Sequence, residues 1–303
     1  MASSVPSLPP PSEKQAYCDI SALEGGLIHM PCHMFVTTAP EDEKKVVPSL
    51  SFLVTHRNSQ RRIVFDLGIR SDIENYPEFT RRRLSDVFNA GVPCDVPTAL
   101  AKGGLKPEDI THVCLSHCHW DHTGNPSLFS KAQFIVGAEA ATLFQPGYPE
   151  DPKSVFPSDL LPKGRTEYFD TTTEKWRPIG PFPRALDYFG DGSAYFIDAP
   201  GHLAGHMNLL ARTSPDGGWI YLAGDAAHDW RLVRGEGDIA MYPTPEGALT
   251  CIHQNKEAAQ ATIKRIADVL TLPRVRVVLA HDGEWYHKNK DGDAFWPGKI
   301  PSL

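Results

Sequence analysis

Ser116-His117-Cys118-His119-Trp120-Asp121-His122-Thr123-Gly124-Asn125 places three imidazoles and one carboxylate within six consecutive positions. The apolar run Ile110 to Leu115 before it reads as a buried strand that ends where the polar cluster begins. Side chains alternate along a strand, so His117 and His119 should point the same way. Asp121 and His122 fall past the strand, in a turn marked by Thr123-Gly124-Asn125-Pro126 that can swing them toward a second point in space. Imidazole and carboxylate are ligands for zinc and other divalent transition metals, and the cluster offers too many of them for one tetrahedral ion. Two metals are therefore expected.

The chain has 303 residues, enough for a sizeable core. It carries 30 Lys and Arg against 37 Asp and Glu, a formal net charge of -7. That balance is a poor electrostatic footprint for a phosphate backbone, so nucleic acid is not an expected partner. The basic run Arg81-Arg82-Arg83 has no interleaved aromatics and reads as a solvated helix face. Six cysteines, at 18, 32, 94, 114, 118 and 251, form no CxxC pair, which suits a reducing compartment. Met1 to Lys14 is proline-rich without a basic and then apolar segment, so residues 1–25 read as a disordered or extended leader rather than a signal peptide. No run of about 18 apolar residues occurs, so no membrane span is expected and the cytoplasm is the default location. Pro301-Ser302-Leu303 lacks the middle basic residue of the peroxisomal tripeptide.

Outward from the cluster, Gly26 to Thr38, Ser51 to Thr55, Arg62 to Phe65 and Phe134 to Val136 read as strands. Helices are expected over Tyr76 to Ala90, Val96 to Lys102 and Ala138 to Phe144. Gln145 to Lys163 holds five prolines and little periodicity, the mark of a lid, a substrate wall or a disordered insert. Four strand-like runs follow, at 186–189, 194–197, 207–210 and 219–222. Asn255 to Leu272 is the clearest helix, with Ala259, Ile263, Ile266, Ala267 and Leu270 on one face. Val275 to Leu279 is a last buried strand that stops at Ala280-His281-Asp282. The pattern predicts an α+β fold, two mixed sheets face to face with helices outside. Residues 26–303 form its single domain, with an inserted loop at 145–163.

Three more strand ends carry candidate ligands: Pro200-Gly201-His202-Leu203-Ala204-Gly205-His206, Gly224-Asp225-Ala226-Ala227-His228 and Ala280-His281-Asp282. Together with His-x-His-x-Asp-His these motifs resemble, in order, those of the metallo-β-lactamase superfamily, from about Gly26 to Trp285. The resemblance implies an αββα sandwich and a dinuclear metal centre. It assigns His117, His119 and His202 to one ion, Asp121, His122 and His281 to the other, and Asp225 to both. His206 would then be structural. Asp66, in Phe65-Asp66-Leu67-Gly68, either orients a ligand imidazole or caps its own turn. Two divalent ions about 3.5 to 4 Å apart share a hydroxide that attacks a carbonyl, so no protein nucleophile is needed. Cys118 is then a packing residue. Asp121 and Asp225 are placed to pass a proton to the leaving group.

Within the superfamily, Ser-His-x-His-x-Asp-His-x-Gly-Asn is most similar to the N-acyl homoserine lactone hydrolases. Those enzymes place a tyrosine three residues after the bridging aspartate, where this chain has His228, a side chain able to donate to a developing oxyanion. The expected function is hydrolysis of a small cyclic ester or amide, lactone ahead of lactam. The expected cofactors are two divalent ions, zinc first, with iron and manganese also suited to the ligands. A thioesterase of glyoxalase II or acyl-carrier type is the alternative, although only 22 residues follow His281. A phosphodiesterase or nuclease lacks a basic exosite here, and an oxygen-reducing diiron protein should carry a carboxylate in place of His119. A purely structural site would saturate its ligands with cysteine and histidine. The sequence leaves oligomeric state undetermined.

Overall fold

A computed structural model describes residues 5–244 and 247–303. Its strands are β1 (Cys18–Leu23), β2 (Leu27–Pro31), β3 (Lys44–Pro48), β4 (Ser51–His56), β5 (Arg62–Phe65), β6 (His112–Cys114), β7 (Gln133–Gly137) and β8 (Thr166–Phe169). They continue with β9 (Arg177–Ile179), β10 (Phe182–Asp187), β11 (Ala194–Asp198), β12 (Met207–Arg212), β13 (Trp219–Leu222), β14 (Tyr242–Pro243), β15 (Leu249–Thr250) and β16 (Val275–Val278). The helices are α1 (Glu78–Asp86), α2 (Val96–Ala101), α3 (Trp120–Thr123), α4 (Trp230–Arg234), α5 (Lys256–Leu270) and α6 (Gly283–Asn289).

Two six-stranded sheets carry the architecture, ordered β1-β4-β5-β6-β7-β8 and β16-β13-β12-β11-β10-β9. Both are mixed. The first turns parallel from β5 onward, and in the second only β13 and β16 run parallel. Period-two alternation explains the layers. Met207, Leu209 and Ala211 of β12 face Ile20, Phe52 and Ile63 of the first sheet, while Leu210 faces out toward Ile263 and Ile266 of α5. The outer face of the first sheet, with Val64, Val113 and Phe134, packs on Val96, Ala99 and Leu100 of α2. Helices thus cover both outer faces, which is the expected αββα sandwich. Each aliphatic side chain buried in these layers contributes roughly 1.5–3 kcal/mol before entropy is counted.

Three local expectations change. Cys18–Leu23 is no part of a leader: it pairs antiparallel with β4 from Cys18↔His56 to Leu23↔Ser51 and sends Cys18, Ile20 and Ala22 into the core. Just upstream, the carbonyls of Pro9 and Pro10 accept Arg212 Nη2 at 2.8 and 3.0 Å, so the described part of the expected leader is docked, while residues 1–4 lie outside the described chain. Asp121 and His122 sit in the short helix α3 rather than in an open turn. On α5, Val269 is buried and Leu270 is 39 % exposed. The 3.6-residue period carries the apolar stripe through 259, 263, 266 and 269, and Asn255 caps the helix by accepting Ala258 N at 3.0 Å.

The loop 145–163 is ordered against the first sheet. Phe156, Leu160 and Leu161 pack on its outer apolar cluster, and the Phe156 ring stacks on His119 with centroids 6.2 Å apart. Among the described residues, no helix is long and apolar enough to cross a membrane.

Candidate metal centre

The candidate ligands arrive on the ends of four strands. Leu115 N still donates to Ile135 O, so β6 holds the backbone up to the Ser116-His117 step. α3 then reverses the chain and turns Asp121 and His122 back. Past β11, Gly201 adopts φ +131° and lies so close to α5 that a Cβ would stand 2.2 Å from Ala259 N. Only glycine fits there, and its place sets the adjacent His202. Asp225 follows β13, and His281 follows β16.

Two groups of ligand atoms converge. His119 Nδ1 lies 2.9 Å from both His117 Nε2 and His202 Nε2. Asp225 Oδ2 is 3.7 Å from His117 Nε2 and 3.5 Å from His202 Nε2. On its other side, Asp225 Oδ1 is 3.2 Å from His122 Nε2 and 3.2 Å from His281 Nε2. Asp121 Oδ2 completes that group, 3.4 Å from His281 Nε2. Tetrahedral zinc at ~2.0–2.1 Å from each ligand requires neighbouring ligand atoms ~3.3 Å apart, the spacing found here. Buried His122 Nε2 and Asp225 Oδ1 have no hydrogen-bond partner among the described residues. Three imidazole nitrogens facing one another likewise cannot all be satisfied by protons. The donor set fits a divalent ion in each group, and Asp225 belongs to both.

Electrostatics sorts the two groups. Burial, then the neighbouring imidazoles, keeps His117 and His202 well below the usual histidine range, and burial puts His119 at about 4. All three present neutral lone pairs at pH 7. Burial also opposes charge on His122 and His281, but the carboxylates of Asp225 and its neighbours outweigh it. They hold His122 well above its usual value and His281 at about 10. A divalent ion would take over that positive charge. Asp225 stays ionised because His122 and His281 override its burial.

Behind the ligands stands a set of orienting contacts. Asp66 Oδ1 accepts Ser116 N at 2.6 Å, and its Oδ2 accepts Ser116 Oγ and His122 Nδ1, each at 2.8 Å. Asp66 is thus an orienting carboxylate. His281 Nδ1 donates to Pro48 O at 2.8 Å, which fixes Nε2 toward the cluster. His206 is not among the converging ligand atoms; its Nε2 accepts Asp225 N at 3.2 Å. Cys118 is buried, its thiol pushed up to about 12 by burial, so it packs rather than attacks. His228 Nε2 donates to Asp225 Oδ2 at 3.1 Å and its ring lines the cavity beside the ligands.

His253 is the residue that sequence reasoning missed. Its Nδ1 lies 3.3 Å from His202 Nδ1 in a buried contact, and its Nε2 has no partner among the described residues. A His202 that ligates through Nε2 carries its proton on Nδ1, which His253 accepts. Nothing local in Cys251-Ile252-His253-Gln254 signals this, because the contact spans 51 residues. His253→Ala is expected to weaken metal affinity in the His117, His119, His202 group about tenfold. Competition with a chelator would read it, and an unchanged affinity would make His253 a packing residue.

The cavity at the cluster has a volume of about 210 Å³ and is lined by His119, Asp121, His202, Asp225, His228 and His281 together with apolar and aromatic side chains. Comparison with known proteins agrees with this geometry. Residues 45–281 match the sequence model of the metallo-beta-lactamase superfamily. The chain is 31 % identical to cytochrome P450 monooxygenase mpaDE' of Penicillium brevicompactum over 96 % of its own length but only 36 % of that protein's. It is 32 % identical to gamma-lactamase FDB1 of Fusarium pseudograminearum, over 73 % of this chain and 56 % of that one. The chain therefore spans between a third and a little over half of these relatives. A crystal structure of B. thuringiensis AiiA with N-decanoyl-L-homoserine at its active site superposes with a TM-score of 0.67 at 17 % identity, covering 93 % of this chain and 98 % of that one. Two ligand groups joined through one aspartate, at one edge of an αββα sandwich and inside the matched span, give the assignment: the chain belongs to the metallo-beta-lactamase superfamily.

Proposed function

We propose that this chain is a hydrolase with two divalent ions, zinc first, that opens a small cyclic ester or amide, lactone ahead of lactam. The observation that carries the reading is Asp225, whose two carboxylate oxygens face separate ligand groups at the wall of one cavity. Such a pair of ions lowers the pKa of a water toward neutrality and polarises the carbonyl it attacks. The remaining work falls to the chain. Asp121 and Asp225, both ionised and both lining the cavity, take up and pass on the proton that the leaving oxygen or nitrogen needs. His228 meets a substrate oxygen beside Asp225 with the same Nε2–H that it now gives to the carboxylate. The cavity volume lies below the ~300–1,000 Å³ of drug-sized ligand sites, which favours a compact ring. The gamma-lactamase relative, and the N-acyl homoserine lactonase AttM of Rhizobium radiobacter at 27 % identity, support cyclic amides and esters as the substrate class.

A screen of the metal-loaded protein against lactones of several ring sizes, lactams, a thioester and a phosphodiester tests this, with metal content measured on the same sample. Lactones should turn over fastest with close to two ions per chain. A faster thioester or phosphodiester, or full turnover without metal, would overturn the reading. On the best lactone, His228→Phe is expected to lower kcat about a hundredfold with metal content unchanged, the usual cost of one lost oxyanion donor. An equal rate would reduce His228 to a wall residue.

A further inference from the structure

Outside the ligand groups, the described lining of the cavity holds one guanidinium. Arg83 is the single Lys or Arg among the described residues that line the cavity, and it stands half-buried in the last turn of α1. The adjacent Arg82 is bonded to Glu78, whereas Arg83 has no carboxylate partner among the described residues. Its guanidinium carbon lies 5.7 Å from the centroid of Phe88, whose ring is in turn 5.7 Å from that of Trp120. The cation–π contact with Phe88 anchors the guanidinium, and with no carboxylate among the described residues on it, its N–H fork suits a planar anion. Both carboxylates of the described lining, Asp121 and Asp225, belong to the ligand groups and are buried, whereas Arg83 belongs to neither group and is half-buried. The rest of the described lining is largely apolar and aromatic, with Phe35, Trp120 and Tyr242 among it.

We propose that the substrate is a compact, flat cyclic ester or amide bearing a carboxylate on the side away from the bond that opens, and that Arg83 receives this carboxylate. The proposal rests on the cavity being the substrate site of the hydrolase described above. The aromatic walls hold the ring by its faces, the ligand groups meet the reacting carbonyl, and Arg83 fixes which end enters. An uncharged ring of the same size leaves the guanidinium unpaired and binds less well.

Two measurements on the metal-loaded protein decide it. In the first, dihydrocoumarin and dihydrocoumarin-6-carboxylate are compared. Wild type should favour the carboxylate in kcat/KM, mainly through KM. Arg83→Gln should reduce that preference by roughly tenfold to a hundredfold, the worth of one charge-assisted fork, and Arg83→Lys should restore part of it. A preference that is absent in wild type, or equal in wild type and Arg83→Gln, overturns the proposal. The second measurement does not depend on hydrolysis: calorimetric titration of naphthalene-2-sulfonate, a weak metal ligand, with naphthalene-2-methanol as the uncharged control. Sulfonate binding lost in Arg83→Gln supports an anion subsite, and equal binding removes it. If wild type hydrolyses neither lactone, the ring-opening reading fails, and the sulfonate titration alone decides the anion subsite.

Discussion

Asp225→Ala is expected to abolish hydrolysis, with a loss of at least about 10³-fold in kcat/KM, and to leave the protein with less than one firmly bound ion per chain. Among the described residues, no other side chain belongs to both ligand groups. Oδ1 faces His122 and His281, Oδ2 faces His117, His202 and His228, and the residue is 3 % exposed. Alanine removes a ligand from each group and the negative charge that offsets two divalent ions in a dry site. Asp121→Ala touches the second group alone, so it should keep one ion near His117, His119 and His202. Elemental analysis beside steady-state rates separates the two variants. Two ions per chain with undiminished turnover in Asp225→Ala would sink the dinuclear reading.

Much of this centre was legible because its ligands sit on motifs that are local in sequence. His117 to His122 reads as a ligand cluster by composition alone, and His202, Asp225 and His281 each follow an apolar strand. The two-layered architecture reads from the strand-rich runs of both halves of the chain, whereas the order of strands within each sheet does not. What stayed hidden depends on contacts between distant segments. The proline-rich start makes residues 1–25 read as one leader, although Cys18, Ile20 and Ala22 alternate with Asp19 and Ser21, and pairing with β4 shows that these three face the core. His253 carries no local mark and gains its role from His202, 51 positions away. Helix α3 reads as a turn in the sequence because four residues carry no periodicity. Arg83 sat in a basic run that looks like a solvated face, and its place in the cavity comes from the packing of Phe88 and Trp120.

Asp66→Asn is expected to cost the second ion and part of the fold through a single misplaced proton. Asp66 is 1 % exposed and has φ +63°, a backbone region that asparagine tolerates well, so the turn itself survives the change. The carboxylate accepts three hydrogen bonds, from Ser116 N, Ser116 Oγ and His122 Nδ1. An amide can still accept from Ser116 N, but its NH₂ then points at two groups that were donors. His122 relieves the clash by giving up the proton on Nδ1 and taking one on Nε2, the nitrogen that faces Asp225 Oδ1. A protonated Nε2 offers no lone pair to a metal. Affinity for the ion between Asp121, His122 and His281 should fall about 10- to 100-fold, while the group of His117, His119 and His202 keeps its ion. Loss of the buried charged network adds about 3 kcal/mol of destabilisation, seen as a lower Tm in the metal-free protein. Stepwise zinc titration against a chelator reads the first effect and thermal unfolding the second. Two equally tight ions in Asp66→Asn would show that His122 does not depend on Asp66 for its tautomer.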